Sequence, residues 1–306
     1  MRDVKAFGKV AVLMGGTSTE REISLSSGQG VLQALLDAGV DAHKLDVGQD
    51  SIDELKAGQF DRAFVILHGR DGEDGKIQAV LETLGIPYTG SGIAASALAM
   101  DKYRTKLIAQ GAGFKTPRFL FWQKGMTLSA LDDFHFPLAV KPVHEGSSFG
   151  VSRVNAIEEL EAAIEKASSY HDDVLIEEWI IGGEYTVPII AGRALPSIKI
   201  STPNREFYDL TAKYTVCGTV YECPNDLTAD EEAFLGRLSL EIFELLGCRH
   251  WGRVDFMRDK QGEFYLIELN TVPGMTPTSL PIKSAKTVGM TYQDLVLDIL
   301  ACTLTQ

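Results

Sequence analysis

Two apolar runs near the end of the chain carry polar side chains at every second position. Arg253 and Asp255 are two residues apart, and so are Glu268 and Asn270. Because strand side chains alternate between faces, each pair is predicted to project from one face. Two carboxylates and a carboxamide offer hard oxygen ligands, which suit Mg²⁺ bound together with nucleotide phosphates. An exposed antiparallel sheet face without any site shows the same alternation.

The connection between the two runs decides whether these pairs meet. Asp259-Lys-Gln-Gly262 predicts a hairpin with an even-length turn. This register places Arg253 opposite Glu268 and Asp255 opposite Leu266, so that all four polar side chains share a face. An odd-length turn would put the two pairs on opposite faces.

A turn containing Pro273 and Gly274 follows the second run directly. Backbone N–H groups in such a turn can stabilise a developing oxyanion, helped by the fixed charge of Arg253. A plain strand-to-helix connection is the alternative, with Ser279 as the cap and Pro281 in the first helical turn. The two interpretations are compatible.

Two further segments are typical of a nucleotide site. Lys141 ends a predicted strand and precedes a Gly/Ser-rich loop that reaches Gly150. Small residues let such a loop fold over phosphate oxygens while the lysine supplies charge. The loop is not a Walker A motif, because no Gly-Lys-[Ser/Thr] opens a helix, and a plain hairpin turn is the alternative. Residues 177–184 are interpreted as a linker that presents backbone groups to adenine and a carboxylate to ribose, although an ordinary acidic strand end has this pattern too.

Alternating strands and helices must position these residues. Lys9 to Met14 predicts a strand, a helix is predicted from Ile23 to Leu36, and Ala63 to Leu67 predicts a second strand before a helix that ends near Leu84. This order indicates a parallel sheet with ligands at the carboxyl ends of its strands.

A second set of elements is predicted after Pro117. These are strands at 136–141, 151–154, 174–177, 184–190, 195–200, 250–258 and 263–269, with helices at 157–168 and 229–246. Thr202 to Thr228 has no strong period, and we predict a mobile lid there.

The composition excludes several classes of protein. The 306 residues carry a formal net charge of −13 without a run of Lys and Arg, so neither nucleic acid nor membrane is an expected partner. Residues 1–12 lack the apolar core of a signal peptide, and no apolar stretch approaches the roughly 18 residues of a membrane span. A cytoplasmic protein of two or three domains is expected. The cysteines at 217, 223, 248 and 302 lack C-x-x-C or zinc spacing and are predicted to be reduced thiols.

In their order along the chain, these motifs resemble those of the D-alanine:D-alanine ligases of the ATP-grasp superfamily. The matching runs are Gly15 to Ser24, Leu67 to Gly75, Tyr88 to Gly92, Met100 to Lys102, Lys141 to Gly150, Ala212 to Tyr214, Gly252 to Asp255 and Glu268 to Thr276. The resemblance covers nearly the whole chain. It implies an α/β ATP-grasp fold: an N-terminal parallel-sheet domain (1–112), then two α+β lobes that clamp ATP (113–182 and 183–306), with the lid near 202–228.

The resemblance also implies roles for individual residues. ATP phosphates would be bound by Lys102, Lys141 and the lid residue Lys213, and adenine with ribose by Glu177, Trp179, Ile180 and Glu184. Two Mg²⁺ ions, replaceable by Mn²⁺, would be held by Asp255, Glu268 and Asn270. Glu20 would bind the amino group of the first D-alanine, with His68 nearby and with Ser147 and Tyr214 in one hydrogen-bonded set. Arg253 and the backbone of Gly274 would form the oxyanion hole, and Ser279 with Leu280 would bind the second D-alanine.

The implied reaction joins two D-alanine molecules through a D-alanyl phosphate, for peptidoglycan precursor synthesis, in a homodimeric enzyme. Glu178 stands where relatives often carry lysine, and the lid differs just before its Lys-Tyr pair. Tyr214 favours an amine acceptor over a hydroxyl. The alternatives are another carboxylate-amine ATP-grasp ligase and a non-catalytic nucleotide sensor. A nicotinamide dehydrogenase is disfavoured because Gly15-Gly16 does not complete G-x-G-x-x-G.

Overall fold

The computed structural model describes residues 3–126, 131, 133–203 and 218–305. Lys213, Tyr214, Cys217 and the central part of the predicted lid lie outside the described residues. Cys223, Cys248 and Cys302 are free thiols. In the described ranges, no helix combines the length and apolar character needed to cross a membrane.

The first part of the chain forms a three-stranded parallel sheet with strand order β2-β1-β3. Its strands are β1 (Lys9–Gly15), β2 (Asp41–Val47) and β3 (Arg62–Val65), and its helices are α1 (Arg21–Asp37), α2 (Ser51–Gly58), α3 (Lys76–Leu84), α4 (Ile93–Met100) and α5 (Lys102–Gly111). The predicted parallel arrangement is confirmed, and the two strands predicted for it correspond to β1 and β3. The central strand β1 is almost wholly buried, as expected for a parallel strand covered on both faces.

The middle part of the chain forms a four-stranded antiparallel sheet in the order β4-β7-β5-β6. The strands are β4 (Phe119–Trp122), β5 (Leu138–Pro142), β6 (Ser152–Val154) and β7 (Val174–Glu178), and the helix is α6 (Leu160–Ser168). The predicted helix therefore begins three residues late, because Ile157–Glu159 forms a 3₁₀ turn. Helix α6 packs on this sheet through its apolar face.

The last part of the chain forms a six-stranded sheet in the order β11-β10-β8-β12-β13, with β9 paired to β8. The strands are β8 (Gly182–Ile190), β9 (Arg193–Ala194), β10 (Ile198–Ser201), β11 (Val220–Glu222), β12 (Trp251–Asp259) and β13 (Phe264–Asn270), and the helices are α7 (Ala229–Leu245), α8 (Leu280–Thr287) and α9 (Tyr292–Ala301). Part of the stretch predicted to be aperiodic is therefore strand β11. Helix α9 packs on α1 in one continuous core that includes Leu35 and Ile299. The last α-helix therefore shares a core with the first sheet.

The predicted register of the β12–β13 hairpin is wrong. Arg253 pairs with Asn270 and Asp255 with Glu268, rather than with Glu268 and Leu266. The hairpin has a three-residue loop in which Gly262 adopts a left-handed φ of 91° and the Asp259 N–H donates to the carbonyl of residue 263.

An odd-length loop alone would have put the polar pairs on opposite faces. A β-bulge corrects this, because the register shifts between Asp255 and Phe256 and Ile267 is left without a partner. The odd-length loop and the bulge each shift the alternation of side chains by one residue, so their effects on the face from which a side chain projects cancel. The four polar side chains share one face after all, and the bulge is what aligns them.

Candidate active site

A cavity of about 660 Å³ is lined by residues of both antiparallel sheets. This volume lies within the range of about 300–1,000 Å³ that is usual for small-molecule sites. It gathers most of the residues predicted for ATP and metal, together with the predicted oxyanion residue Arg253; these residues are Lys102, Lys141, Glu177, Trp179, Ile180, Glu184, Arg253, Asp255 and Glu268. The hairpin strands β12 and β13 supply the last three, and β5 and β7 supply Lys141 and Glu177.

Two buried lysines and one buried carboxylate form an ion-paired cluster beside this cavity, which Lys141 and Glu177 line. Glu177 is ion-paired with Lys106, at 2.6 Å from its Oε2, and with Lys141 at its Oε1. Burial alone would raise the pKa of Glu177, but the two lysines hold that pKa below its usual value. Burial and the neighbouring Lys141 lower the pKa of Lys106 to about 8, against the opposing effect of Glu177. Glu177 therefore fixes both lysines rather than standing free toward the cavity.

Lys102 connects the Gly/Ser loop to the predicted metal ligands. Its Nζ donates to the carbonyl of Glu145 at 2.6 Å and lies 3.3 Å from Glu268 Oε2. Lys102 is buried, so its charge is only weakly screened by water. It is therefore placed to act on a phosphate that bridges the loop and the hairpin.

Three side chains donate hydrogen bonds to Asp255. Arg253 donates to both of its oxygens, at 2.8 and 2.7 Å, Thr186 Oγ1 donates at 2.5 Å, and Asn270 Nδ2 donates at 2.9 Å. Thr186 lies on β8, directly opposite Asp255 in the ladder. The carboxylate is thus held in one orientation on the face that β12 shares with β13.

These residues fit a magnesium ion. Asp255 and Glu268 are cross-strand partners on one face, and Asp255 is ion-paired with Arg253 while Glu268 is ion-paired with Lys102. Oxygen ligands from two carboxylates beside a nucleotide-sized cavity are the donor set that Mg²⁺ takes with phosphates. The bound ion would supply charge neutralisation to the phosphates.

Glu20, at the start of α1, lies next to Ser147 of the Gly/Ser loop. Ser147 Oγ donates a hydrogen bond to Glu20 Oε1, although 127 residues separate them. Glu20 is buried at the start of α1, and its side chain makes no capping hydrogen bond there. Its carboxylate instead faces Gly69 and Gly146, since a Cβ at either glycine would lie 2.9 Å from Glu20 Oε2. The helix-start alternative does not explain a carboxylate turned toward this cradle.

The backbone of the Gly/Ser loop is held in an unusual shape. Ser147 and Ser148 both have left-handed φ values, 49° and 62°. Such strain in non-glycine residues is concentrated at ligand-binding segments, where the surroundings hold it in place. The loop is tied down by Lys102 at the Glu145 carbonyl and by Arg70 at the Glu145 carboxylate, 3.0 Å away.

His68 connects the first sheet to the Pro-Gly turn. Its Nδ1 lies 2.8 Å from the carbonyl oxygen of Val272, which can only accept, so Nδ1 carries the proton. Nε2 then accepts from Ser27 Oγ at 3.4 Å, and the same hydroxyl accepts the Met275 N–H at 3.1 Å. Burial lowers the pKa of His68 and keeps its imidazole neutral.

Glu73 holds the same turn from another side. Its Oε1 accepts the N–H of Val272 at 3.1 Å, and its Oε2 accepts the N–H of Gly69 at 2.7 Å. Burial and the nearby Glu20 raise the pKa of Glu73 to about 8. Arg253 opposes this increase, so Glu20 and Arg253 both act on the same carboxyl group.

The predicted second-substrate residues lie just beyond this turn. Ser279 Oγ accepts the N–H of Thr276 at 2.9 Å, and a Cβ at Gly274 would lie 3.2 Å from that hydroxyl. Ser279 is the N-cap residue of α8 by position, yet its side chain makes no capping bond to the helix. Leu280 packs with Ile198 and Ile200. The capping interpretation therefore applies to the backbone position of Ser279 and not to its side chain.

Several residues that shape the site were not predicted. The sequence patterns assign no role to Ser27, Lys106 or Thr186, and Glu73 belongs to the matching run from Leu67 to Gly75 without a role of its own. The Asp71-Gly-Glu73-Asp-Gly75 segment offered a signal for Glu73, because acidic residues between glycines mark a tight polar loop. Ser27, Lys106 and Thr186 offered none. The roles given to all predicted ligand-binding residues stay predictions.

Solved structures share this fold. The chain superposes on D-alanine–D-alanine ligase from Bacillus anthracis with a TM-score of 0.88 at 36% identity, over 97% of each chain. The same enzyme complexed with ATP gives 0.85 at 33% identity. The VanG D-Ala:D-Ser ligase from Enterococcus faecalis gives 0.83 at 27% identity, over 96% of this chain and 99% of that one. The protein is therefore an ATP-utilising ligase of the ATP-grasp class.

Sequence comparison narrows this class to one family. D-alanine–D-alanine ligase B from Pseudomonas putida is 51% identical over 300 residues, covering 98% of this chain and 94% of the relative. Residues 40–91 match the family described as D-ala D-ala ligase N-terminus, and residues 110–301 match D-ala D-ala ligase C-terminus. The chain belongs to the D-alanine–D-alanine ligase family.

Proposed function

We propose that this chain joins two D-alanine molecules and converts ATP to ADP and phosphate. The carboxylate of the first D-alanine attacks the γ-phosphorus, which gives D-alanyl phosphate and ADP. The amine of the second D-alanine then attacks the acyl carbon, and phosphate leaves as the peptide bond forms. The observation that carries the proposal is that the buried Glu20 carboxylate, hydrogen-bonded to Ser147, and the Arg253 guanidinium both influence Glu73, whose carboxyl group accepts the Val272 N–H in the backbone turn.

The first D-alanine is bound through its ammonium group by Glu20. The carboxylate is buried, is oriented by Ser147, and faces the space left by Gly69 and Gly146, where any side chain would crowd it. A compact ammonium ion fits beside such a group. The restriction to small amino acids would come from this glycine-lined cradle.

The phosphates of ATP are bound by Lys102 and Lys141, with Lys213 from outside the described residues. Lys141 is pre-oriented by Glu177, and Lys102 lies between the Glu145 carbonyl and Glu268. Adenine and ribose occupy the segment that contains Trp179, Ile180 and Glu184, which lines the same cavity. Asp255, Glu268 and Asn270 hold magnesium.

The oxyanion of the tetrahedral intermediate is stabilised by Arg253 and the backbone N–H of Gly274. Four backbone groups of the neighbouring turn are held by side chains: the N–H and carbonyl of Val272 and the N–H and carbonyl of Met275. A turn fixed in this way does not need to reorganise when charge develops, which is how such donors accelerate acyl transfer. The carboxylate of the second D-alanine binds at Ser279 and Leu280.

The dipeptide product would enter peptidoglycan precursor synthesis. ATP and free D-alanine are both cytoplasmic metabolites, so we place the enzyme in the cytoplasm. We also propose a homodimer through the first domain, and sedimentation analysis of the purified chain tests this.

Product analysis tests the proposed reaction. The chain is incubated with ATP, Mg²⁺ and D-alanine, and the products are separated and weighed by mass spectrometry. We expect D-alanyl-D-alanine with one ADP per dipeptide, little ADP with L-alanine, and loss of both products in Glu20→Gln. ATP binding without ADP release and without dipeptide would contradict the proposal and favour the non-catalytic nucleotide sensor.

One alternative acceptor has a specific observation behind it. The VanG D-Ala:D-Ser ligase shares the fold over nearly its whole length. D-serine supplied together with D-alanine distinguishes the two acceptors, because a mixed dipeptide differs in mass from D-alanyl-D-alanine. We expect D-alanine to be the preferred second substrate.

A further inference from the structure

Two histidines and an aspartate converge beside the Gly/Ser loop, outside the cavity described above. Candidate ligand atoms from His144, His171 and Asp173 all lie within 4.8 Å of one another. His144 belongs to the loop after β5, and the other two belong to the turn between α6 and β7. Within the described ranges, they are the one group of three or more His, Cys, Asp or Glu with this spacing.

Asp101 fixes the tautomer of His144. The Asp101 carboxylate is buried and lies 3.2 Å from His144 Nε2, so that nitrogen carries the proton and donates it. The other nitrogen, Nδ1, is then an unprotonated lone-pair donor. It is buried and has no hydrogen-bond partner among the described residues. A carboxylate behind a histidine in this way is the usual support of a metal-bound imidazole.

The other two residues also retain a ligating atom. Asp173 Oδ1 accepts from Gln123 Nε2 at 2.8 Å, which leaves Oδ2. His171 Nδ1 accepts the backbone N–H of Asp173 at 3.1 Å, so the ring proton is on Nε2 and Nδ1 holds the lone pair, which an ion would bind in place of that hydrogen bond. The two imidazole rings lie side by side, with centroids 4.4 Å apart, and no hydrogen bond joins them. Adjacent rings that each hold one lone-pair nitrogen are well placed to share a cation.

The spacing suits a small transition-metal ion. Zn–N bonds of about 2.0–2.1 Å place two tetrahedral ligands roughly 3.4 Å apart. Side-chain rotation would have to shorten the observed limit of 4.8 Å by about 1.4 Å at most. Two imidazoles and a carboxylate select Zn²⁺, Co²⁺ or Ni²⁺ over Mg²⁺, which prefers oxygen ligands. Each of the three side chains is partly exposed, so an ion can enter from solvent.

We propose that His144, His171 and Asp173 form a second metal site, specific for zinc-class divalent cations and separate from the magnesium ligands. Asp101 is its positioning residue. The site joins two segments that already touch, since the Val143 N–H donates to the Asp173 carbonyl at 3.1 Å. His144 lies three residues after Lys141 and three before Ser147. A bound ion would therefore fix the Gly/Ser loop at its base. The site does not depend on the proposed reaction.

Cobalt titration tests the proposal. The full chain is treated with a chelator, dialysed, and titrated with Co²⁺ in excess Mg²⁺, which occupies the carboxylate ligands of the main cavity. We expect one equivalent of Co²⁺ with visible d–d bands of nitrogen and oxygen ligation, displaced by one equivalent of Zn²⁺. His171→Ala and Asp173→Asn should each lower the affinity by at least about 10-fold, and Asp101→Asn by about 10- to 100-fold, as for other supporting carboxylates.

Matched controls make the result decisive. His43→Ala removes an exposed histidine that also contacts an aspartate, at 2.8 Å, and should leave binding unchanged. Circular dichroism verifies that each variant is folded. Absence of d–d bands, or full-affinity binding in both His171→Ala and Asp173→Asn, would overturn the proposal. A thiolate-to-cobalt charge-transfer band would also overturn it, because it would assign the ion to a cysteine.

Discussion

Replacing Ser27 by alanine tests how the oxyanion turn is held. The Ser27 hydroxyl is fully buried and accepts the Met275 N–H while it donates to His68 Nε2. Ser27→Ala removes one oxygen, so the Met275 N–H and His68 Nε2 both lose the hydrogen bond that they make with it. The Met275 residue is itself buried, so water cannot replace the lost partner easily.

The cost follows from this geometry. An unsatisfied buried N–H costs about 1–3 kcal/mol, and the longer contact to His68 adds little. For 306 residues, an unfolding entropy of about 2.1 cal/mol/K per residue gives roughly 0.64 kcal/mol/K. Ser27→Ala should therefore lower the melting temperature by about 1.5–5 °C.

Catalysis should fall more visibly than stability. Removing one oxyanion donor costs about 10²- to 10³-fold in kcat. Ser27→Ala keeps the donor but loosens the turn that carries it, so we expect a smaller loss, about 10-fold. The KM for the first D-alanine should change little, because Glu20 and Ser147 are untouched.

Coupled ADP-release kinetics and thermal melts measure both effects. Ser26→Ala is the matched control, since Ser26 is exposed on the same helix and should behave as the wild type. If Ser27→Ala retains wild-type kcat and melting temperature, the turn is not held by this hydrogen-bond chain, and the reasoning fails.

Three further perturbations address other parts of the site. Burial lowers the pKa of Lys106 to about 8, below its value in the unfolded chain. The free energy of unfolding should therefore rise by up to ~3 kcal/mol between pH 8 and 10.4. Lys106→Met should abolish this rise. Melts at pH 7.5 and 10 should show this rise in the wild type and in exposed Lys124→Met, and an equal rise in Lys106→Met would contradict it. Gly146→Ala places a methyl 2.9 Å from Glu20 Oε2 and should raise the KM for D-alanine at least ~10-fold without altering ATP affinity; an unchanged KM would refute the cradle. Glu268→Gln should shift the Mg²⁺ dependence of turnover at least ~10-fold upward, and normal turnover at limiting Mg²⁺ would remove Glu268 from the metal site.

The sequence predicts strands best where both faces are buried. Apolar runs identified β1 and most strands of the two antiparallel sheets, because burial on the core face leaves a clear pattern. Strand β2 was missed: Asp41–Val47 is an edge strand with few buried positions, so its pattern is close to that of a loop. The hairpin register failed because Gly262 makes an odd-length loop and the bulge at Asp255 leaves no signal in composition.

The site could be predicted in part for the same reason. Alternation placed Asp255 and Glu268 on one face, and the loop glycines identified the segment around Ser147. The contacts that hold the site come from distant segments: Ser27 and Met275 are 248 residues apart, and Lys106 donates to the carbonyl of a residue 160 positions away. Such contacts depend on tertiary packing, and the periodicity of α1 or α5 does not distinguish these residues from their neighbours.

Isotope labelling tests the proposed acyl phosphate most directly. D-alanine with oxygen-18 in its carboxylate is incubated with the enzyme, ATP and Mg²⁺, and the phosphate and nucleotide are analysed by mass spectrometry. If the carboxylate accepts the γ-phosphoryl group, as proposed, the released phosphate carries one labelled oxygen and ADP is the nucleotide product. Unlabelled phosphate alongside dipeptide, or AMP as product, would contradict the mechanism.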